Sequence, residues 1–279
     1  MERSLRQRGF SRLPTDGTVD VKYLPAAFEE DKLGLQGEAW REIKTELARA
    51  GRNGVIIHAV WSVNFAARVE SFESQFKGII RLLELLPWAT EMPSRARPQF
   101  TFISSSASVI SMRAGASSDV QEIYSSDPRD AAPLGYSRSK WVAEKICQYY
   151  GNNGLNVNVI RVGQLCGDTR HGYWNQSEGW PLMLAAGTSI KALPDLREEV
   201  YWLPVDIAAS LVLEITGLGT LTGGDNGNSP RVEPLFHVLN PHGVWWSEIL
   251  NWMKGAKRKF SIVAPVGQKG WTVGGEAGH

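Results

Sequence analysis

The chain has 279 residues, 43% of them hydrophobic, and a formal net charge of +1. That size suits one large α/β domain, alone or with a small appendage, and the near-neutral balance gives no electrostatic reason for a nucleic-acid or anionic-membrane partner. Cys147 and Cys166 form no close-spaced metal or disulfide motif, no stretch approaches ~20 apolar residues, and no apolar run follows the charged N-terminus, so the chain reads as soluble and cytoplasmic.

Residues 1–19 are polar and basic, and Val19 to Leu24 alternates like a short strand. Trp40 to Ala48 suggests a surface helix. Val55-Ile-Ile-His58-Ala59-Val60 is a short apolar, β-branched run and reads as a buried strand. From Asn64 to Leu86 the apolar residues recur with helical spacing, and Pro87 supplies the stop. Phe100 to Ser106 is the next strand, ending in three hydroxyl residues, and Val157 to Ile160 is another.

Between those two strands lies Pro133-Leu-Gly-Tyr136-Ser-Arg-Ser-Lys140, a turn running into an amphipathic helix. Tyr136 and Lys140 are four apart and share one helix face. An ammonium beside a phenol favours the phenolate, which predicts a Tyr136 pKa below its ordinary ~10. Most Tyr-x-x-x-Lys pairs are solvated helix faces. Here the pair falls among segments at strand ends: Ala59 to Trp61, Ser104 to Ser106, and Val162 to Gln164. Strand and helix alternate, which argues for βαβ units, a parallel sheet covered on both faces, and a ligand beyond the carboxyl ends of the strands.

After Arg161 the pattern loosens. Residues 165–254 are expected to form a small irregular lobe suited to shaping a pocket, with most of its aromatics packing the lobe together. Asp206 is expected to cap a helix from Ile207 to Ile215, residues 217–231 form a Gly-rich linker, Leu235 to Leu239 is a strand and Trp245 to Lys254 a helix. Residues 255–279 carry no recognisable element and read as a disordered tail. His171, His237 and His242 have no metal-ligand spacing, so no metal site is expected.

With these residues set out, the chain resembles the extended short-chain dehydrogenases/reductases, and within them the thioester reductase domains of carboxylic acid reductases and fungal NRPS-like enzymes. The resemblance rests on Val55 to Phe65, Phe102 to Val109, Tyr136-Ser-Arg-Ser-Lys140, Arg161 to Gly167, Gly172-Tyr-Trp174-Asn175, Ala192 to Pro194 and Trp202 to Asp206. It implies a Rossmann-like doubly wound parallel sheet over residues 1–164, followed by the substrate lobe. It also implies Ser106 as the hydroxyl positioning a carbonyl, Tyr136 as proton donor, and Lys140 on the nicotinamide ribose. Ala59, Val60, Tyr136, Lys140, Val162 and Gly163 would line the cofactor, NADPH. The substrate implied is a thioester on the phosphopantetheine of an acyl carrier protein, or a small-molecule carbonyl. The product would be an aldehyde, or an alcohol after further reduction. Ser104 and Ser105 compete with Ser106, which alternation along the strand and the family pattern both favour.

The family begins with a strand and a glycine-rich turn that cradles the cofactor pyrophosphate. Gly9, Gly17, Gly34 and Gly37 do not form it, and Leu24-Pro-Ala-Ala-Phe28 lacks the usual Asp. Gly217-Leu-Gly219-Thr-Leu-Thr-Gly223 follows a helix and reads as a loop. The expectation is a domain missing its first βαβ piece. Its function is then NAD(P)H-dependent reduction of a carrier-bound thioester in secondary metabolism. The alternatives are a catalytically inactive remnant, or a stand-alone dehydrogenase or epimerase of the same superfamily.

Overall fold

Four short apolar strands pair in parallel in the order β1-β2-β3-β8: β1 (Val55–His58), β2 (Gln99–Ser105), β3 (Val157–Val162) and β8 (Leu235–Val238). The computed structural model describes residues 21–27, 30–50, 54–86, 98–112, 120–218 and 234–264. Parallel strands need crossovers, and two helices lie between them in sequence: α2 (Glu73–Leu83) between β1 and β2, and α3 (Gly135–Asn152) between β2 and β3. The period-2 alternation of a strand sends Phe100, Phe102 and Ser104 of β2 to one face, beside Val157, Val159 and Arg161 of β3. Ile79 and Leu83 of α2 and Ala143 and Cys147 of α3 close over Phe100, Phe102, Val157, Val159 and Leu235 in one buried cluster. At roughly 2–3 kcal/mol for each large side chain removed from water, these residues dominate the stability of the sheet.

The helix expected from Asn64 begins later. Asn64 folds into a turn instead, its side chain accepting from Ala66 N and its carbonyl from Ala67 N. A 3-10 turn over Val69–Phe72 then leads into α2 at Glu73. That turn brings the Ala67 carbonyl against the start of α3, where a Cβ on Gly135 would lie 1.9 Å from it. Gly135 is therefore required by close approach of two backbones. Residues 21–24 pair with no strand, residues 19–20 lie outside the described residues, and the surface helix α1 spans Gly37–Ala50.

The chain divides into two compact units, one of Met1–Val162 with Ala209–Val238, the other of Gly163–Ala208 with Leu239–His279. The chain re-enters the first unit because β8 completes the sheet beside β3. The second unit holds α4 (Gly179–Ile190) and α6 (Trp246–Gly255) and the short strands β4 (Leu165–Cys166), β5 (Ala192–Pro194), β6 (Glu199–Val200), β7 (Leu203–Pro204), β9 (Val244–Trp245) and β10 (Ser261–Val263). Its aromatics do pack the unit. Trp180 meets Trp202 at 5.1 Å and Trp246 at 5.6 Å, and Trp174 meets Trp202 at 4.9 Å. Trp246 is fully buried and donates its indole N–H to Pro194 O at 2.8 Å.

Strand β10 corrects the expectation of a structureless tail from residue 255, since it pairs in parallel with β5; residues 265–279 lie outside the described residues. Sequence pattern missed it because three exposed residues, Ser261 to Val263, show no alternation. Helix α5 spans Val205–Ile215, so Asp206 sits inside its first turn and not before it. The Asp206 carboxylate accepts from the Thr169 N–H at 3.1 Å and from its hydroxyl at 2.5 Å. At the other end Gly217 adopts φ 73°, Leu218 N donates to Leu213 O and Gly217 N to Glu214 O. That is a Schellman ending, in keeping with a loop there; residues 219–223 lie outside the described residues.

Candidate active site

Because all four strands of the sheet run parallel, their carboxyl ends share one edge. His58 ends β1 there, Ser105 ends β2 and Val162 ends β3. Ser105 leaves the strand to cap a 3-10 turn over Ser106–Ser108, its Oγ accepting from Ala107 N at 3.3 Å. Tyr136 is the second residue of α3, and Lys140 follows one turn later on the same face.

The Lys140 ammonium is buried, with 3% of the residue exposed. Its Nζ donates to Ile103 O at 2.7 Å and lies 4.7 Å from the ring centroids of both Trp61 and Phe102. Trp61 is fixed in turn: its indole N–H donates to Ser139 Oγ at 3.0 Å, and that hydroxyl donates to Tyr136 O at 2.6 Å. Phe65, largely exposed, sets its ring edge-to-face on Tyr136 at 5.3 Å. Two aromatic residues of the segment after β1 therefore shape the surroundings of the Tyr136–Lys140 pair.

The electrostatics differ from the expectation of an acidified phenol. Burial raises the Tyr136 pKa above its ordinary value, and a hydrogen bond with Ser105 opposes the rise. Lys140 stands 5.9 Å from the Tyr136 ring centroid, its bond going to the Ile103 carbonyl instead. Burial takes the Lys140 pKa down to about 7, against the opposing negative field of Glu144. Desolvation thus outweighs the proximity that the four-residue spacing offered.

His58 lies among rings, 6.2 Å from Trp61, 6.3 Å from Phe100 and 6.0 Å from Phe102, and burial lowers its pKa to about 4. Its folded pKa is below its unfolded value of 6.5, so the stabilisation is complete above pH 6.5 and is lost as pH falls toward 4. The loss corresponds to about 3 kcal/mol. Denaturant titrations at pH 7 and pH 4 should show that drop, and a His58→Phe variant should flatten it.

The three consecutive serines separate cleanly. Ser104 faces α3 and donates to Glu144 at 2.5 Å. Ser105 supplies the hydroxyl bonded to Tyr136. Ser106 opens the 3-10 turn, where its carbonyl accepts from Val109 N. Strand alternation, which favoured Ser106, does not extend beyond Ser105 because the strand ends there. Ala59 and Val60 follow β1 and are exposed, whereas the Val162 side chain is buried at the end of β3, with Gly163 next in the chain.

Sequence reasoning passed over Glu144 and Arg161. Arg161, with no exposed surface, places Nη2 2.8 Å from Glu144 Oε2 inside the protein. The signal was present: Glu144 continues the Tyr136, Lys140 helix face, and Arg161 is a lone charge in the strand Val157-Asn-Val-Ile-Arg-Val162.

Comparison with known proteins agrees with this architecture. The male sterility protein family matches residues 7–212. The non-canonical non-ribosomal peptide synthetase ascB of Acremonium egyptiacum is 34% identical over 224 residues, which is 79% of this chain and 19% of that one. Among solved structures, the terminal R domain of the myxalamid PKS-NRPS biosynthetic pathway superposes with a TM-score of 0.67 at 22% identity, covering 85% of this chain and 55% of that chain. RMD from Pseudomonas aeruginosa, solved with NADPH, superposes at 0.57 with 17% identity, covering 88% and 77%. The chain thus spans about a fifth of the length of the curated relative it matches, and the structural neighbours share its Rossmann-like sheet.

Proposed function

This chain belongs to the male sterility protein family, the thioester-reductase branch of the extended short-chain dehydrogenases/reductases, and on that premise we propose that it reduces a carrier-bound thioester, or the derived aldehyde, with a nicotinamide cofactor. The observation that carries the reading is Tyr136 and Lys140 one turn apart on helix α3 beside the carboxyl edge of a parallel sheet, with the Ser105 hydroxyl opposing the rise of the Tyr136 pKa.

The described residues fit the nicotinamide end of such a cofactor. An ammonium has three donors, and Ile103 O takes one of those on Lys140. Lys140 and Tyr136 would hold the ribose, with Ala59, Val60 and the Val162–Gly163 backbone as walls. The start of α3 offers no phosphate cradle, because the Ala67 carbonyl closes on Gly135. NADPH, when bound, supplies the hydride. The negative charge that then develops on the carbonyl oxygen is stabilised by donors from Tyr136 and Ser105. Tyr136 delivers its proton to that oxygen, and its raised pKa keeps it protonated and ready to donate at neutral pH. Half-buried Trp61 shields the Lys140 side of the pair, and Phe65 covers one face of the Tyr136 ring. The relative named as a non-ribosomal peptide synthetase supports a substrate held on a carrier and a place in secondary metabolism.

The test follows the near-ultraviolet absorbance of NADPH with an acyl pantetheine thioester. Tyr136→Phe is expected to lower turnover by about 10²–10⁴-fold, and Ser105→Ala should lose more than Ser106→Ala. Saturable NADPH binding without turnover on any thioester or aldehyde would leave a cofactor-binding relative that does no chemistry. Absence of binding by the folded chain would overturn the proposal.

A further inference from the structure

Behind the hydroxyl pair lies a closed polar cluster that the proposed chemistry does not use. Glu144 and Arg161 are 2% and 0% exposed, and Ser104 and Ser108 are 4% and 0% exposed. Glu144 Oε1 accepts from Ser104 Oγ at 2.5 Å, Ser108 Oγ at 2.6 Å and Arg161 Nε at 3.1 Å. Its Oε2 accepts from Arg161 Nη2 at 2.8 Å. Arg161 is anchored in turn, with Nη1 3.2 Å from His237 Nε2 on β8 and Nη2 donating to Ile123 O at 3.1 Å. Ser104 and Arg161 are register partners across β2 and β3, so both reach the same carboxylate from one sheet face.

Two features set this cluster apart from a simple stabilising ion pair. A buried charge pair gains little stability over apolar residues of equal volume, so its retention asks for another role. Its neutral arms are also placed with respect to Ser105. Ser104 precedes it by one residue, and Ser108 follows it by three and lies 2.7 Å from the Ser105 carbonyl. Glu144 itself stands two helical turns beyond Tyr136 on the α3 face that also carries Lys140.

We propose that Glu144, held by Arg161, is a positioning residue for carbonyl reduction: by clamping Ser104 and Ser108 it fixes the strand end and 3-10 turn that aim the Ser105 hydroxyl at Tyr136. The proposal rests on the reductase reading above. Helix α3 then carries the proton donor at its start and, two turns on, the anchor of that donor's partner. Relative motion between β2 and α3 would break the Ser105–Tyr136 bond, and the carboxylate resists it through charge-assisted bonds to both strands.

The deciding variant is Ser104→Ala/Ser108→Ala in the full chain, which removes the clamp and leaves the ion pair whole. Turnover number should fall about tenfold with KM within about twofold, because a donor aimed at the transition state is misplaced while binding is untouched. In a Ser105→Ala background the double change should cost nothing further, since it acts only through the Ser105 hydroxyl. An independent readout is the ¹³Cζ resonance of Tyr136 at neutral pH, assigned with Tyr136→Phe, which senses the phenol's hydrogen bonding. It should move in the double variant as it moves in Ser105→Ala. Glu144→Gln, a near-isostere, should move it the same way. Additive losses of rate, or a Tyr136 resonance unchanged in folded variants, would overturn the assignment. If the parent chain shows no turnover, the reductase reading fails by itself, and the resonance still decides the positioning role.

Discussion

Lys140→Met is expected to stabilise the folded protein at pH 7 by about 2–4 kcal/mol while abolishing reduction. The lysine is almost completely buried, between the rings of Trp61 and Phe102, and its pKa falls from an ordinary 10.5 to about 7. The folded pKa lies below the unfolded one, so the unfolded chain binds the proton more tightly. Unfolding free energy should therefore rise as pH increases from 7 to 10.5, and the burial cost is largest at or below pH 7. That cost is up to about 4–5 kcal/mol, and methionine of similar length escapes it. Against the gain stands the lost bond to Ile103 O, worth about 1 kcal/mol. Urea titrations of both proteins between pH 7 and 10 check this: the parent should gain stability across the range and the variant should not. A variant less stable than the parent at pH 7 would show that Lys140 is held as a structural cation. A charge kept at such a cost is what a site in use looks like.

Arg161→Met should have the opposite sign, costing about 3–5 kcal/mol. It leaves the Glu144 carboxylate inside the protein with only the Ser104 and Ser108 hydroxyls to satisfy it, and frees the Ile123 carbonyl. Removing both charges, as Glu144→Met/Arg161→Met, should recover most of the loss, because a buried pair and a well-packed apolar pair are near equals in stability. The double variant should still turn over slowly, since Ser104 and Ser108 have lost their common acceptor. Thermal unfolding of the three proteins checks the first statement, and turnover of the double variant the second. Recovery of both stability and rate would mean the pair serves packing alone.

Much of the first unit was legible in the chain itself. Val55 to His58, Phe100 to Ser105 and Val157 to Val162 are short β-branched or aromatic runs, and each became a strand of the parallel sheet within a residue or two of its expected bounds. Tyr136 and Lys140 were expected on one helix face, and helix α3 places them one turn apart. The misses share a cause. The strand Ser261–Val263 exists only because β5 lies beside it, and β8 returns the chain to the first unit only because β3 offers an edge. Asn64 to Arg68 has helical spacing but folds as a turn, its Ala67 carbonyl lying against Gly135.

Local pattern determined where most strands and helices of the first unit form and which residues share a helix face, because alternation, helical spacing and breakers act over a few residues. Only the tertiary structure separates the three adjacent serines, since their surroundings depend on where β2 ends and which face Glu144 claims. It alone decided the ionisation of the pair too. Spacing puts an ammonium near a phenol, but burial raises the Tyr136 pKa, and burial with the rings of Trp61 and Phe102, distant in sequence, beside its ammonium lowers that of Lys140.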